Sequence, residues 1–336
     1  MKITGVKVTR RFDGARARCI VQLLTDTGLT GIGIADARSG PAVRRLVTGM
    51  LAGADPRSVT GIWQQMADAA PARGAASLRQ AMAVLDVALW DLKAKANGEP
   101  LWKTLGGARP RANAYASSVG LALDEAQLSA WYLRMAGDYG LRGGKLQAGR
   151  DMDENLRRVG RMRTALERAA SEPVLMIDAA RCWPPGEAIG KLRLLEEEFD
   201  LCWVEGASRD RDVRGLKRVS DGIRGAVCVG AGFATVGDYQ PHFQHRSADI
   251  VQIDINAIGI TGALQVADAA FGLELPVTLA AAPGNMHAHL AGVMPGFMSV
   301  AITDPDPRSQ VLSSDVRIEG GWAVAGDAPG NGLAPT

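Results

Sequence analysis

Two short apolar runs decide the fold of this chain, EPVLMIDA at residues 172–179 and FDLCWVE at residues 199–205. Each run ends in a single carboxylate, Asp178 in the first and Glu205 in the second. The segment between them, residues 185–198, spaces its Ile and Leu side chains among charges in the way an amphipathic helix does. Strand, helix and strand make a βαβ unit, whose two strands must be parallel.

The position of these two carboxylates indicates a functional site. In a (β/α) barrel, active sites lie at the C-terminal ends of the strands. Consecutive strands ending in Asp178 and Glu205 would project both side chains into one barrel mouth. Hard oxygen donors that converge in this way suggest a divalent cation such as Mg²⁺. The alternative is that each acid only caps the helix that follows it.

Composition excludes several classes of protein. With 47% hydrophobic and 22% charged residues over 336 positions, the chain has the make-up of an ordinary globular protein with a large core. A net charge of +2 gives no reason to expect nucleic acid or an anionic membrane as partner. The four cysteines form no CxxC pair, and the N-terminus does not resemble a signal peptide. We therefore expect a cytoplasmic protein.

The order of predicted elements favours a barrel. Residues 1–36 read as a β-meander, and residues 41–69 and 77–98 are predicted to be mainly helical. Short strands then alternate with helices, and we place eight of them near residues 112–117, 143–147, 174–178, 201–205, 226–230, 249–254, 276–280 and 297–301. Eight such repeats favour a closed barrel over an open sheet. The sequence contains neither a dinucleotide-binding fingerprint nor a Walker loop.

One stretch carries a family resemblance. The run AVLDVALWDLKAKA at residues 83–96, followed by GEPLWKTLGG at 98–107, closely resembles the linker helix of the mandelate racemase/muconate lactonizing branch of the enolase superfamily. The segments TDTGLTG at 25–31 and Pro329-Gly330 extend the likeness over nearly the whole chain.

That resemblance implies a fold and a division of the chain. The expected fold is α/β, a modified (β/α)₇β barrel of the TIM type under an N-terminal α+β capping domain that the C-terminal segment completes. The expected boundaries are residues 1–110 for the capping domain, 111–305 for the barrel, and 306–336 for the segment that returns to the cap.

The same resemblance implies a chemistry. Family members abstract a proton α to a carboxylate, and Mg²⁺ holds the resulting enediolate. The expected activity is that of an isomerase or racemase, or of a dehydratase or lyase, on a small carboxylate or hydroxy acid. Asp178 and Glu205 match the first two metal ligands. Lys145 matches a lysine that points at the substrate carboxylate, and Asp254 matches the Asp of a His–Asp dyad.

Three positions depart from the family pattern. Gln147 stands where a second lysine usually acts as base, and a neutral amide has no useful proton affinity. Ala231 stands at the third metal ligand, and a methyl group cannot ligate a metal. Ala280 stands at the histidine of the dyad. The losses predict a Mg²⁺ site that is weak or absent, since ligand charge tunes affinity.

Two functional hypotheses follow from these residues. In the first, the protein is an active Mg²⁺-dependent enzyme with an incomplete site, in which Lys145 and Asp254 are the catalytic candidates. In the second, the barrel has lost this chemistry and serves as a binding or assembly subunit. Lys145 could also be a rim lysine paired with an acid, and Asp254 a substitute ligand or a helix cap. We further expect a homo-oligomer, and an ordinary surface or helix-end role for His287 and His289 on a predicted helix.

Overall fold

The computed structural model describes residues 1–13, 16–71, 76–306 and 311–335. The chain begins with an antiparallel sheet made of three consecutive strands, β1 (Ile3–Asp13), β2 (Arg16–Thr25) and β3 (Thr30–Asp36). Helical segments follow it: a 3₁₀ turn (Ala37–Ser39), α1 (Gly40–Leu46), a π-helical turn (Val47–Leu51), α2 (Val59–Ala69), α3 (Ala76–Asn97) and α4 (Leu101–Thr104). The predicted meander and helices therefore exist.

Eight parallel strands then close into a barrel, because the last of them pairs with the first. The strands are β4 (Arg111–Val119), β5 (Gly143–Gln147), β6 (Val174–Asp178), β7 (Leu201–Glu205), β8 (Ala226–Val229), β9 (Ile250–Ile253), β10 (Val277–Leu279) and β11 (Phe297–Ile302). The predicted fold class, a modified TIM-like barrel under an N-terminal cap, is confirmed.

Helices connect the barrel strands along the outside. They are α5 (Glu125–Tyr139), α6 (Met152–Leu166), α7 (Pro185–Glu198), α8 (Val213–Gly222), α9 (Val236–His245) and α10 (Ile255–Phe271). The seventh connection, from β10 to β11, is a 3₁₀ segment, Pro283–Leu290. None of the helices in the described residues combines the length and apolar character needed to span a bilayer.

The C-terminal segment forms short strands that return to earlier parts of the chain. These are β12 (Ser313–Ser314), β13 (Arg317–Glu319), β14 (Trp322–Val324) and β15 (Leu333–Ala334). Strand β14 adds antiparallel to β4, and β12 pairs with β15. The domain boundaries at residues 110 and 305 stay a prediction.

Helix α3 joins the cap to the barrel through two buried aspartates. Asp86 accepts hydrogen bonds from the backbone N–H of Thr261 at 2.8 Å and from its hydroxyl at 2.6 Å. Asp91 accepts from the backbone N–H groups of Ile32 and Asn331, each at 2.8 Å, and from Lys95 at 2.6 Å. The helix therefore binds the cap, the barrel and the C-terminal segment at once.

Glycine allows the close contact between α3 and the cap sheet. A Cβ atom at Gly31 would lie 2.1 Å from the carbonyl oxygen of Ala88, and one at Gly33 would lie 2.6 Å from a methyl of Val84. Any larger residue at either position would push β3 away from the helix. The TDTGLTG run of the sequence ends at the first of these two glycines.

Below the mouth, the barrel interior is filled by side chains rather than open. One layer consists of Tyr115, Met176, Trp203, Cys228, Ile250 and Ala301. The rings of Tyr115 and Trp203 meet edge to face, with centroids 5.4 Å apart. All four cysteines are free thiols, but Cys202 lies exposed on the outer side of β7, whereas Cys19 and Cys228 are buried.

Candidate active site

The two predicted carboxylates lie side by side at the C-terminal mouth of the barrel. Asp178 ends β6, Glu205 ends β7, and their Cα atoms are direct partners in the parallel ladder. Both line a cavity of about 360 Å³. Neither caps the next helix, because α7 follows Pro184 and the cap of α8 is Asp212. The geometry therefore excludes the helix-cap alternative for both carboxylates.

Lys145, on β5, forms an ion pair with Glu205. Its Nζ donates to Oε2 of Glu205, and the side-chain amide of Gln252 donates to the same oxygen at 2.9 Å. Only 11% of the Lys145 side chain is exposed, so it is not a rim lysine. Burial lowers the pKa of Lys145, but the adjacent Tyr115, Glu205 and Asp178 outweigh burial and raise it. Lys145 is therefore a protonated ammonium here.

Asp178 begins a strained loop. Its Oδ1 accepts the backbone N–H of Ala180 at 2.8 Å, and burial followed by the charge of Glu205 raises its pKa. Ala180 and Arg181 have left-handed φ angles of 49° and 60°, which residues other than Gly and Asn rarely adopt. The backbone N–H of Arg181 is held by the carbonyl of Gly206 at 2.8 Å.

Arg181 was not singled out from the sequence, yet it spans three loops of the mouth. It belongs to the loop after β6. Its Nε donates to Asp210 in the loop after β7 at 2.7 Å, and its Nη2 donates to the carbonyl of Ala231 in the loop after β8 at 2.9 Å. A guanidinium therefore contacts the backbone at the position where the family resemblance implies a third carboxylate.

The three departures from the family pattern all line the same cavity. Gln147 is the Cα partner of Asp178, and Ala231 and Ala280 contribute methyl groups to the wall. In the described ranges, no three His, Cys, Asp or Glu side chains come together as a metal cluster. No side chain in those ranges donates to Oδ2 of Asp178 or Oε1 of Glu205, so each carboxylate retains one oxygen for a cation.

Asp254 lies in the same cavity and also begins a helix. It is the N-cap of α10, where its Oδ1 accepts the backbone N–H of Asn256 at 2.9 Å. The helix-cap interpretation of Asp254 is therefore correct, and its place in the cavity wall leaves the functional one open. Burial raises the pKa of Asp254, and its hydrogen bonds to Asn256 oppose that rise.

The surface role predicted for His287 and His289 was wrong, although both residues lie in the last turn of a helical segment. Both side chains are fully buried in the 3₁₀ segment. His287 Nε2 lies 2.9 Å from the carbonyl oxygen of Ala301, and Nδ1 of His289 accepts the backbone N–H of Trp102 at 3.3 Å. Burial lowers the pKa of each to about 4, so both are neutral near pH 7. They belong to the core beside the barrel.

Comparison with known proteins agrees with this architecture. Residues 6–106 match the family model of the mandelate racemase/muconate lactonizing enzyme N-terminal domain, and residues 127–336 match the enolase C-terminal domain-like model. Among curated proteins, the 3,6-anhydro-alpha-L-galactonate cycloisomerase of Streptomyces coelicolor is 32% identical over 250 residues, which is 71% of this chain and 67% of the relative.

Two solved structures bear on the cofactor. A racemase from Streptomyces coelicolor A3(2) with bound magnesium matches with a TM-score of 0.86 and 26% identity, covering 99% of this chain and 97% of that one. The L-talarate dehydratase from Polaromonas sp. JS666, complexed with Mg and L-glucarate, matches with a TM-score of 0.86 and 26% identity over 100% of this chain and 95% of that one. These relatives are named as enzymes, and nothing among them supports the non-catalytic alternative.

Proposed function

Because this chain belongs to the mandelate racemase/muconate lactonizing branch of the enolase superfamily, and is an enzyme of that type, we propose that it abstracts the α-proton of a polyhydroxylated acid with the help of Mg²⁺. One observation carries the proposal. Lys145, Asp178, Glu205 and Asp254 come from four different strand ends and line a single cavity. The names of its relatives, a 3,6-anhydro-alpha-L-galactonate cycloisomerase and an L-talarate dehydratase, favour a sugar acid as substrate.

The donor set fits a magnesium ion that shares its shell with substrate and water. Mg²⁺ is commonly bound by one or two protein carboxylates and completes its octahedron with water and ligand oxygens. Asp178 and Glu205 would hold it, each through the oxygen that accepts no hydrogen bond from the described part of the chain. When bound, the ion supplies positive charge that stabilises an enediolate oxygen. With Ala231 in place of a third carboxylate, we expect weak binding.

The protein residues divide the remaining work. Lys145 is charged, so its role is to attract the substrate carboxylate and stabilise developing negative charge, rather than to accept a proton. Gln147 can donate and accept hydrogen bonds but cannot act as a base. Asp254 is then the group left to move a proton. A site with one proton-transfer group suits elimination of water or isomerisation, and two-base racemisation should be negligible.

The test follows turnover of a panel of aldonic and aldaric acids in D₂O by ¹H NMR. Mg²⁺ is present at about 10 mM, which is on the order of the concentration needed to fill a weak site. We expect α-proton exchange or loss of water with at least one sugar acid, and its loss in Glu205→Gln. The matched control is Asp200→Asn, an exposed carboxylate just before β7 at the opposite end of the barrel. Full racemisation that persists in both Lys145→Met and Asp254→Asn would refute the assignment.

A further inference from the structure

The carboxylate of Asp254 is held from one side only. Two hydrogen bonds from Asn256 end on its Oδ1, the backbone N–H at 2.9 Å and the side-chain Nδ2 at 2.7 Å. In the residues that the structure describes, no donor reaches Oδ2. Because Asp254 lines the mouth cavity, this fixed orientation presents the second oxygen to whatever the cavity binds.

Asn256 is itself fixed by a second contact. Its Nδ2 also donates to the carbonyl oxygen of Ala281 at 3.0 Å, in the loop that follows β10. Ala280 and Ala281 line the cavity there with methyl groups. Ala280 thus stands where the family resemblance implies the histidine of the dyad, and the side-chain amide that donates to Asp254 is that of Asn256.

Asp254 also lies across the barrel from the ammonium group of Lys145. Lys145 belongs to the second of the eight barrel strands and Asp254 follows the sixth, so half of the barrel separates them. Both line the same cavity, with Asp178 and Glu205 on the two strands after that of Lys145. A substrate in the cavity would thus have the ammonium and the carboxylates on one side and Oδ2 of Asp254 on the other.

We propose that Asn256 is a positioning residue that aims Oδ2 of Asp254 at the substrate, and that Asp254 exchanges the proton with the substrate directly, without a histidine relay. This inference rests on the proposed function and deepens it by naming the group and the reaction. The reaction is the dehydration of a β-hydroxy acid in which the carboxylate of Asp254 acts first as the general base and then as the general acid.

The proton and the electrons balance in two steps. Asp254 removes the α-proton, and the electron pair of the broken C–H bond forms the C=C bond of the enediolate, whose charge Lys145 stabilises. The carboxylic acid so formed at Asp254 gives the same proton to the β-hydroxyl as the β C–O bond breaks and its electron pair leaves with the oxygen. The pair of the enediolate C=C bond becomes the second bond between the α and β carbons, and the substrate carboxylate re-forms. Water leaves, the α,β double bond remains, and Asp254 is again a carboxylate, so no further reactant is needed.

The test compares Asn256→Ala and Asn256→Asp with Asp268→Asn, an exposed carboxylate on the same helix α10. The first readout needs no turnover: an NMR titration of protein labelled at aspartate ¹³Cγ, in which the Asp254 resonance is the one missing from Asp254→Asn. We expect its pKa to rise in both Asn256 variants, because the side-chain hydrogen bond to the charged form is lost in each, and because Asn256→Asp also adds a second carboxylate beside Asp254. The charged groups that also act on Asp254, Glu205 and Arg18, are unchanged in these variants, and Asn256→Ala, which adds no charge, isolates the loss of the hydrogen bond.

The second readout is kinetic, on a sugar acid that the NMR panel identifies. In Asn256→Ala we expect kcat to fall about 10- to 100-fold with KM nearly unchanged, as for a misplaced reacting group, and the acid limb of the pH profile to move with the NMR pKa. The control should change neither readout. An unchanged Asp254 pKa in Asn256→Ala overturns the positioning role whatever the activity. A shifted pKa with no turnover of any panel member would instead refute the proposed function and leave the positioning role standing.

Discussion

Lys145 and Gln252 both donate to the same oxygen, Oε2 of Glu205, from opposite parts of the barrel. Lys145 extends from β5 and Gln252 from β9. One carboxylate oxygen is thus saturated by an ammonium and an amide, whereas the other can face a cation. Lys145 reduces the negative charge of the mouth, because its ammonium group neutralises one of the two carboxylates that a metal ion would use.

Removing Lys145 should therefore separate metal binding from activity. In Lys145→Met, Glu205 loses its ammonium partner, and we expect its carboxylate to bind Mg²⁺ several-fold more tightly. Turnover should nevertheless fall by about 10² or more, because the cation that stabilises the developing charge is gone. Isothermal titration calorimetry with MgCl₂ measures the first effect and NMR turnover the second. Lys217→Met, a partly exposed lysine on α8, is the control, and weaker Mg²⁺ binding in Lys145→Met would contradict the argument.

Magnesium should stabilise the folded protein by a modest amount. A ligand that binds only the native state contributes RT ln(1 + [L]/Kd), which is about 1.4 kcal/mol at a concentration roughly ten times Kd. With two carboxylate ligands we expect Kd near millimolar, so the melting temperature should rise between 0 and 10 mM MgCl₂, on the order of a few degrees at most. Chelation should reverse the rise. The rise should be absent in Asp178→Asn and retained in Asp200→Asn. Saturation at micromolar Mg²⁺ would indicate that a further protein group binds the ion beside Asp178 and Glu205.

The loop after β6 should become more stable when its strain is relieved. Ala180 has a φ of 49°, a conformation that costs an L-residue with a Cβ about 1 kcal/mol relative to glycine. Ala180→Gly should therefore raise the free energy of unfolding by about 0.5–1 kcal/mol, measured by urea denaturation. Ala179→Gly, one residue earlier and outside the left-handed region, should lower it instead, because the unfolded chain gains freedom and a buried methyl group is lost. If the two substitutions changed the free energy of unfolding equally, backbone strain at Ala180 would be excluded.

The buried histidines predict a stability that falls in acid. The pKa of His289 is about 4 in the folded protein and about 6.5 when unfolded, so the unfolded chain binds the additional proton between these values. The share of the free energy of unfolding that depends on neutral His289 is fully retained above about pH 6.5. It is lost as the pH falls towards 4, by about 1 kcal/mol per pH unit. His289→Asn keeps an acceptor for the N–H of Trp102 and should flatten the wild-type curve, whereas the exposed His245→Asn should not. Denaturation at pH 7, 6 and 5 measures the slopes.

Strand ends were the most predictable feature of this chain. The predicted strands at 143–147, 174–178 and 201–205 coincide with β5, β6 and β7, because short apolar runs bounded by polar residues and turns define a buried strand well. Since parallel strands end at one face of the barrel, the meeting of Asp178 and Glu205 followed from the sequence as well.

The contacts across the barrel could not be predicted in the same way. The bond from Gln252 to Glu205 joins β9 to β7 past the intervening strand β8 and depends on the curvature of the barrel sheet. Gln252 nevertheless lies two residues before Asp254, and an alternating pattern could have placed it on the inner face. The two histidines were misplaced for another reason. Gly284 and Asn285 adopt left-handed angles, so the segment is an irregular 3₁₀ turn, and α-helical spacing does not describe where its side chains point.

The two buried aspartates of α3 determine how the protein should unfold. Asp86 accepts hydrogen bonds from Thr261 in the last barrel helix, and Asp91 accepts them from Ile32 in the cap and Asn331 near the end of the chain. One helix thus contributes to the cores of both the N-terminal and the barrel units, so neither can lose its structure while the other keeps all of its buried hydrogen bonds. We therefore expect the cap and the barrel to unfold as a single cooperative unit, so that a substitution at Asp86 or Asp91 should destabilise the whole protein.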